Sequence, residues 1–476
     1  MFARGFGCRA FDVGCWMFYC SRMSQLLLTF YGDDFTGSTD ALEQLTLAGI
    51  RAMLFIEPPT TKQLAHFKNL QAVGVAGMTR SLTPDAMGRE LRPALKKLKA
   101  IGARHVHYKV CSTFDSSPTI GSIGRVIDVA TEIFHAPFVP LLVAAPALGR
   151  YTVFGQHFAR YGIGSDGEIH RLDQHPSIGR HPVTPMQEAD LRLHLAKQTK
   201  KKIALFDILK VELPEKAART ALKKILAAKP DVVLFDALFA EQLTLIGGLM
   251  DEYASAKRPL FSVGSSGIEM ALGAHSSVGD DVRSLHLKKQ NLRLVTSSLT
   301  KQVLVGSGSC SPVTNGQIAW ALKNGFFEVA LDVMALALEQ SFAAEIQRAT
   351  EAAAKLLRAG LSVIVHTTKS GSDKRIATKL KNNAAKILGT ALGNVLRGAL
   401  DKSKVRHVCI AGGDTSSFAA RALGIEALEM IAPLTPGAPL CRAFAPGSPA
   451  DGLEVVFKGG QVGAENYFGI VKNGRT

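Results

Sequence analysis

At 476 residues the chain is too long for one ordinary hydrophobic core, and its 47% hydrophobic and 20% charged residues are those of a folded globular protein. This makeup excludes collagen, disorder and a disulfide scaffold, and predicts two domains. The 56 Lys and Arg against 40 Asp and Glu leave a net charge of +16, so the partner sought is anionic: nucleotide, acid metabolite, nucleic acid or lipid surface.

Residues 1–22 hold three of the seven cysteines, Cys8, Cys15 and Cys20, but lack the continuous apolar core and small-residue cleavage site of a signal peptide. They read as an extension outside the fold. The other four, Cys111, Cys310, Cys409 and Cys441, lie far apart in apolar segments with no C-x-x-C pair, which predicts buried thiols in a reducing, cytoplasmic compartment. No run reaches the roughly 18–20 consecutive apolar residues that span a bilayer, so no membrane partner is expected.

From Gln25 the chain alternates strands and helices. The run QLLLTFYG is followed by a turn and an amphipathic stretch with Leu42 and Leu45 on one face, ending at Gly49. Further strand-length runs lie at 51–56, 71–77, 105–110, 138–145, 202–207, 231–236 and 260–263, several of them apolar on both faces, as in a parallel sheet covered by helices on both sides. Between 146 and 198 the spacing predicts a long Gly-, Pro- and His-rich loop, a lid or dimer contact, followed by a helix capped by Thr184 with Pro185 in its first turn and Gln187 completing a capping box. Its histidines, His157, His170, His175, His181 and His194, with the earlier His107, form no H-x-x-x-H or H-E-x-x-H arrangement, so zinc is not expected.

The alternation stops near 273–300 and resumes with runs at 302–309, 327–333, 362–368, 405–413 and 453–460, with helices at 335–359 and 374–400. The expected fold is therefore α/β, as two α/β domains, each with a mostly parallel sheet flanked by helices and the active site in the interdomain cleft. The boundaries read as 23–275, a linker at 276–300, and 301–476.

Ligands of open α/β sheets sit beyond the carboxyl ends of the strands, and those ends are polar in this chain. The first strand runs into Asp33, Asp34, Phe35, Thr36 and Gly37, where Asp33 and Asp34 read as substrate or metal groups, or as part of a helix start. Asp40 with Glu43 also reads as a D-x-x-E cap. Arg80 follows the third run, and Lys109, Ser112, Thr113, Phe114 and Asp115 follow the fourth. A cation beside clustered hydroxyls and a carboxylate suits a polyhydroxylated anion; a Ser-rich turn is the plainer reading.

In the second half, Gly306–Ser311 opens a helix capped by Ser311 with Pro312 in its first turn, an arrangement whose free amides bind phosphate. Ser307 and Ser309 lie in this turn. It lacks the G-K-[ST] of a P-loop and is a poor dinucleotide fingerprint. A second turn holds Ala411, Gly412, Gly413 and Asp414, the last suited to bind Mg²⁺ or take a proton, and a third holds Lys458, Gly459, Gly460 and Gly463. Three such turns at strand ends point to a nucleotide crevice.

Taken together, D-D-F-T-G-S-x-D at 33–40, K-x-x-S-T-x-D-S at 109–116, H-P-x-T-P-M at 181–186, G-S-x-S-x-x-T at 308–314, G-G-D-T-S at 412–416 and K-G-G-x-x-G at 458–463 resemble the four-carbon acid sugar kinase family. The resemblance runs from about Gln25 to Phe468. It implies an ATP-dependent kinase, with Mg²⁺, acting on a terminal hydroxyl of a four-carbon or related branched or oxo sugar acid. It implies substrate contacts at Asp33, Asp34, Arg80, Lys109, Ser112, Thr113, Phe114 and Asp115, and ATP contacts at Ser307, Ser309, Ala411, Gly412, Gly413, Asp414, Gly460 and Gly463. The catalytic carboxylate is Asp414 or Asp34, with Asp414 favoured because it sits at the phosphate loops. Of the basic residues, Arg80, Lys109, Arg150 and Lys458 are the ones expected to face the two anionic ligands, the substrate carboxylate falling to Arg80 or Lys109. The shortened segment Pro146–Tyr151 and the lengthened loop after Asp115 depart from the family pattern and leave the sugar acid open. The rival functions are an oxidoreductase taking NAD(P) on the Gly306–Ser311 turn and a nucleic-acid binder, though no basic-aromatic module supports the latter. A homodimer is an open option.

Overall fold

The computed structural model describes residues 26–161, 167–179, 184–277, 302–367 and 384–473. The extension at 1–22, most of the 276–300 linker, His181 and the start of the helix expected at 374–400 lie outside the described residues.

Among the described residues, fifteen strands form one sheet. In the first half of the chain these are β1 (Leu28–Gly32), β2 (Ala52–Phe55), β3 (Ala72–Ala76), β4 (His105–Lys109) and β5 (Val139–Leu142). The segment 146–198 then contributes β6 (Arg150–Val153), β7 (Gln156–Arg160) and β8 (Ile169–Arg171), a separate three-stranded antiparallel sheet where a lid-like loop was expected. The main sheet continues with β9 (Ile203–Phe206), β10 (Val232–Phe235) and β11 (Leu260–Gly264). The second half supplies β12 (Val303–Ser307), β13 (Phe326–Ala330), β14 (Ser362–His366), β15 (His407–Ala411), β16 (Ala427–Thr435), β17 (Ala438–Phe444) and β18 (Glu454–Lys458).

The sheet order is β13-β14-β12-β15-β18-β17-β16-β2-β3-β1-β4-β11-β5-β10-β9. Each half is parallel, as the doubly apolar runs predict, but the halves are fused by the antiparallel hairpin β16–β17, whose first strand pairs with β2 through Ala427 and Leu428 opposite Phe55 and Leu54. Its turn, Pro436-Gly437, places Gly437 at φ +80°, the left-handed position that a type II turn reserves for glycine.

Alternation along the strands sends Leu28, Phe30, Leu304, Val363, Val408 and Val455 into one core that runs unbroken under both halves. Tyr31, Val73, Val75, Val106 and Val263 fill the opposite face of the first half, and Val303, Val305, Cys409 and Val456 that of the second. Three antiparallel pairings separate β18 from β2, so in a flat sheet the carboxyl ends of β1 and β18 would point to opposite edges. Strand twist of about 20–25° per step accumulates to about 100–125° over the five steps from β18 to β1, which swings the two ends toward one cleft.

The helix expected to start at Thr184 does not form there. The chain has no regular structure from Thr184 to Ala189, where Ala189 O accepts from His157 N at 2.9 Å and Leu191 N donates to Gly155 O at 3.0 Å, tying this backbone to the β6–β7 hairpin. The helix is Leu191–Ala196, capped by Asp190, which accepts from Arg192 N at 2.9 Å. Of the four described cysteines only Cys409 and Cys441 are buried; Cys111 is half-buried and Cys310 exposed, because both lie in turns past strand ends rather than within strands.

Candidate active site at the converging strand ends

β1 ends at Gly32, and the helix Phe35–Leu47 starts three residues later with Asp34 as its cap, Asp34 Oδ1 accepting from Gly37 N at 2.7 Å. The cap expected at Asp40 and Glu43 is thereby corrected: both lie inside this helix and are buried. Arg80 closes over the turn. Its Nε and one terminal nitrogen bind the Asp33 carboxylate at 3.1 and 2.8 Å, and the other terminal nitrogen meets Asp34 Oδ2 at 2.8 Å. Burial pushes the Asp33 carboxyl up while the guanidinium pulls it down. On Arg80 the burial penalty is outweighed by the two carboxylates, which raise its pKa further.

Lys109, the last residue of β4, is 1% exposed and sends Nζ to Asp40 Oδ2 at 3.2 Å and to Val110 O at 3.1 Å. Burial opposes its charge, but Asp40, Glu269 and Asp33 prevail and hold its pKa above the ordinary lysine value. Beyond it the chain turns sharply: Phe114 has φ +58°, and its ring is fully buried in the core beside His194. The Phe114 side chain is therefore an anchor rather than a surface offered to ligand, a correction to the sequence expectation. That left-handed backbone stores roughly 1–3 kcal/mol and sits in a loop where Ser112 and Thr113 are buried and Asp115 is half-buried. Thr113 Oγ1 donates to Asp115 Oδ1 at 2.8 Å, and Ser112 O accepts from His157 Nε2 at 2.9 Å, docking the β6–β7 hairpin on this loop.

In the second half the three small-residue turns abut. A Cβ added to Gly308 would strike Thr415 at 2.5 Å, and one on Gly460 would lie 2.8 Å from Ser309 Oγ. Thr314 Oγ1 donates to Gly460 O at 2.8 Å, and Gln317 Nε2 donates to the carbonyls of Val462, Gly463 and Ala464, each at 3.0 Å. Gly412 has φ +135° and ψ 145°, a conformation open to glycine alone, and caps the helix Gly413–Ala422, whose first turn carries Asp414. Ser307 Oγ is buried with no partner among the described residues. Lys458 does not face the cleft: fully buried, it donates to Thr314 Oγ1 at 3.0 Å over the Tyr467 ring, and burial, opposed by Cys409, draws its pKa down to about 8.

The two groups of loops meet across the cleft. Phe35 packs on Phe457 with ring centroids 4.5 Å apart, and a Cβ on Gly459 would lie 3.9 Å from Thr36 Oγ1. Asp414 makes no hydrogen bond or ion pair among the described residues and reaches solvent, yet the surrounding loops hem it in. That desolvation, reinforced by the charge of Asp34 and opposed by Arg80, holds its carboxyl above the ordinary range.

Residues 28–272 match the family described as a sugar-binding N-terminal domain, and residues 304–468 match that described as a nucleotide-binding C-terminal domain. The chain belongs to the four-carbon acid sugar kinase family. A Paraburkholderia graminis protein named 3-oxo-isoapionate kinase is 42% identical over 459 residues, covering 94% of this chain and 95% of the relative. A Pseudomonas savastanoi pv. phaseolicola protein named 3-oxo-tetronate kinase is 29% identical over 448 residues, covering 93% of this chain and 96% of the relative. Among solved structures, a Salmonella typhimurium LT2 protein superimposes with a TM-score of 0.71 at 24% identity, covering 93% of this chain and 98% of that one. A Haemophilus influenzae DUF1537 protein gives 0.65 at 22% identity, covering 94% and 99%; both share the fold. The kinase is thus a phosphotransferase that takes ATP and a sugar acid.

Of the residues singled out in the sequence, Asp33, Asp34, Arg80 and Lys109 cluster at the ends of the first-half strands, while Phe114 and Lys458 turn inward. Sequence reasoning missed Asp40 as the partner of Lys109 and the Thr314 bridge to Gly460, since neither pairing has a signal in local spacing. Among the described residues no helix is long and apolar enough to cross a membrane, and no three His, Cys, Asp or Glu gather as metal ligands.

Proposed function

We propose that this kinase transfers the γ-phosphoryl group of ATP to a hydroxyl of a short oxo sugar acid, with 3-oxo-isoapionate the first substrate to test and 3-oxo-tetronate the second. The observation that carries this reading is the meeting of the Asp33, Asp34, Arg80 and Lys109 cluster with three phosphate-suited turns across one cleft. The relatives' names, 3-oxo-isoapionate kinase and 3-oxo-tetronate kinase, support a 3-oxo acid as the first class to test.

In this reading the 23–275 region holds the sugar acid on Asp34, Ser112, Thr113 and Asp115, while Arg80 and Lys109, already paired to carboxylates, fix the charge and shape of that wall. The 301–476 region holds ATP on Ser307, Ser309, Ala411–Gly413, Gly460 and Gly463. The hydroxyl oxygen bonds to the γ-phosphorus as the bond from that phosphorus to the β,γ-bridging oxygen breaks, and Asp414 takes the hydroxyl proton. Asp414 suits the task because it is unpaired among the described residues and its proton affinity is raised. Asp414 and Asp34, within electrostatic reach of each other, are the carboxylates that would hold Mg²⁺, a cation that takes one or two carboxylates plus substrate phosphates and would neutralise charge on the phosphates.

The test is ATP consumption by the purified kinase across four-carbon and branched sugar acids, including 2- and 3-oxo forms. A 3-oxo acid turned over with kcat/KM at least about tenfold above the non-oxo acids is expected. ATP consumption unchanged by any sugar acid would sink the reading. Cytoplasmic placement and the homodimer belong to the same reading; fractionation and sedimentation velocity decide them.

A further inference from the structure

Arg150 opens β6 just beyond the carboxyl end of β5, where its backbone bridges to Ala145. The residue is 6% exposed. One terminal nitrogen donates to three carbonyl oxygens, Leu148 O at 3.0 Å, Gly149 O at 3.2 Å and Arg160 O at 3.1 Å. Its Nε is buried without a partner, and its other terminal nitrogen makes no hydrogen bond among the described residues. No carboxylate lies in ion-pair contact with it among those residues. Arg80, Arg192 and Arg348 differ, each holding a carboxylate at 2.6–2.8 Å.

The surroundings do not neutralise it. His157 has its pKa drawn down to about 4, by burial first and by the positive charge of Arg150 as well, and His175 is lowered by burial, by Arg150 and by His170. Neither ring offers the guanidinium a negative charge. The anionic and ionisable groups within electrostatic reach are Cys111 and Asp115 of the strand-end loop, Tyr151 next along β6, and the buried Asp40. Burial outweighs them, so the guanidinium is under-compensated where it stands. The His157 bond to Ser112 O fixes the hairpin carrying Arg150 against that same loop.

A buried cation without a counter-charge is an unfavourable arrangement that a bound anion relieves, and the guanidinium fork matches a carboxylate with two parallel hydrogen bonds. We infer that Arg150 receives the carboxylate of the sugar acid, making it the residue that selects acids over neutral sugars of the same length. The inference rests on the kinase reading above. Arg80 and Lys109 are excluded from the task because their charges are already taken by Asp33, Asp34 and Asp40.

The experiment compares Arg150→Gln and Arg150→Lys with the wild type on the best sugar acid and on its neutral carboxamide, reading KM and kcat separately for each, with KM for ATP as control. Arg150→Gln is expected to raise KM for the acid about 100-fold or more while leaving KM for the carboxamide and for ATP unchanged. Arg150→Lys, which keeps the charge but loses the fork, is expected to raise KM for the acid about tenfold, and it stands in should the Gln variant fail to fold. Equal shifts on acid and carboxamide, or no shift in either variant, overturn the role of Arg150. Wild-type kinase that consumes no ATP with any sugar acid overturns the kinase reading itself.

Discussion

The adjacent glycines Gly412 and Gly413 separate backbone strain from space in the phosphate turn. At φ +135° and ψ 145°, Gly412 occupies a region from which L-residues are excluded, and an added Cβ would stand 3.2 Å from Thr415 Cβ and 3.5 Å from Ser309 N. Gly412→Ala should cost about 1–3 kcal/mol of stability, lowering the melting midpoint by about 2–4 °C per kcal/mol for a cooperative unit of 150–250 residues. If the variant relaxes its turn, ATP binding must restore the strained form, so KM for ATP should rise about 5- to 150-fold with KM for the sugar acid unchanged. A Cβ on Gly413 meets nothing within 4 Å, so Gly413→Ala should keep the wild-type midpoint within about 0.5 kcal/mol or gain slightly from helix propensity. Its methyl group enters the open space above the turn, where a bound phosphate would lie, and KM for ATP should again rise about tenfold. Thermal unfolding with initial-rate kinetics reads both variants. Wild-type stability in Gly412→Ala refutes the strain argument, and an unchanged KM for ATP in both variants refutes the turn as the phosphate cradle.

Asp414→Asn should lower kcat by about 100- to 10,000-fold while leaving the melting midpoint near that of the wild type, since the side chain is exposed and unpaired among the described residues; near-normal turnover at saturating MgATP removes Asp414 as the base. Arg80→Met strands two buried carboxylates and should destabilise the kinase by about 3–5 kcal/mol in urea unfolding, with Arg80→Lys recovering only part because it cannot bridge Asp33 and Asp34 in the same fork. Glu43 is buried with Gly437 N donating to its Oε2 at 2.6 Å, and burial lifts its carboxyl from 4.5 to about 8. The folded state then binds the extra proton between those values, so this group's contribution is complete below pH 4.5 and declines as pH rises toward 8, by up to about 5 kcal/mol in all. Unfolding midpoints from pH 5 to 9 should fall less steeply in Glu43→Gln than in the wild type; parallel curves would show that Glu43 is ionised throughout.

The parallel strands were legible because doubly apolar runs such as QAVGVAG have no other comfortable place than a sheet covered on both faces. The hairpin β16–β17 carried a readable turn in Pro436-Gly437, but nothing local says that its outer strand pairs with β2, some 370 residues earlier by register. The helix expected from Thr184 failed for a comparable reason: its capping pattern is sound, yet pairing of Ala189 and Leu191 with the hairpin at 155–157 holds that backbone out of a helix. In the site, the polar residues at strand ends could be named from the sequence, whereas the state of each charge could not.

By itself the amino-acid sequence determined the strand-helix alternation, the glycine turns that open the helices at Pro312 and Gly413, and the polar composition of each strand end, all of which are local properties of propensity, capping and period. Tertiary structure decided which of those charges are already satisfied. Arg80 and Lys109 look like free cations in the sequence and are paired in the fold, while Arg150 keeps its charge without a carboxylate partner among the described residues. Ion pairing depends on positions within about 4 Å in space, and the twist that swings β1 and β18 toward one cleft is a property of the whole sheet.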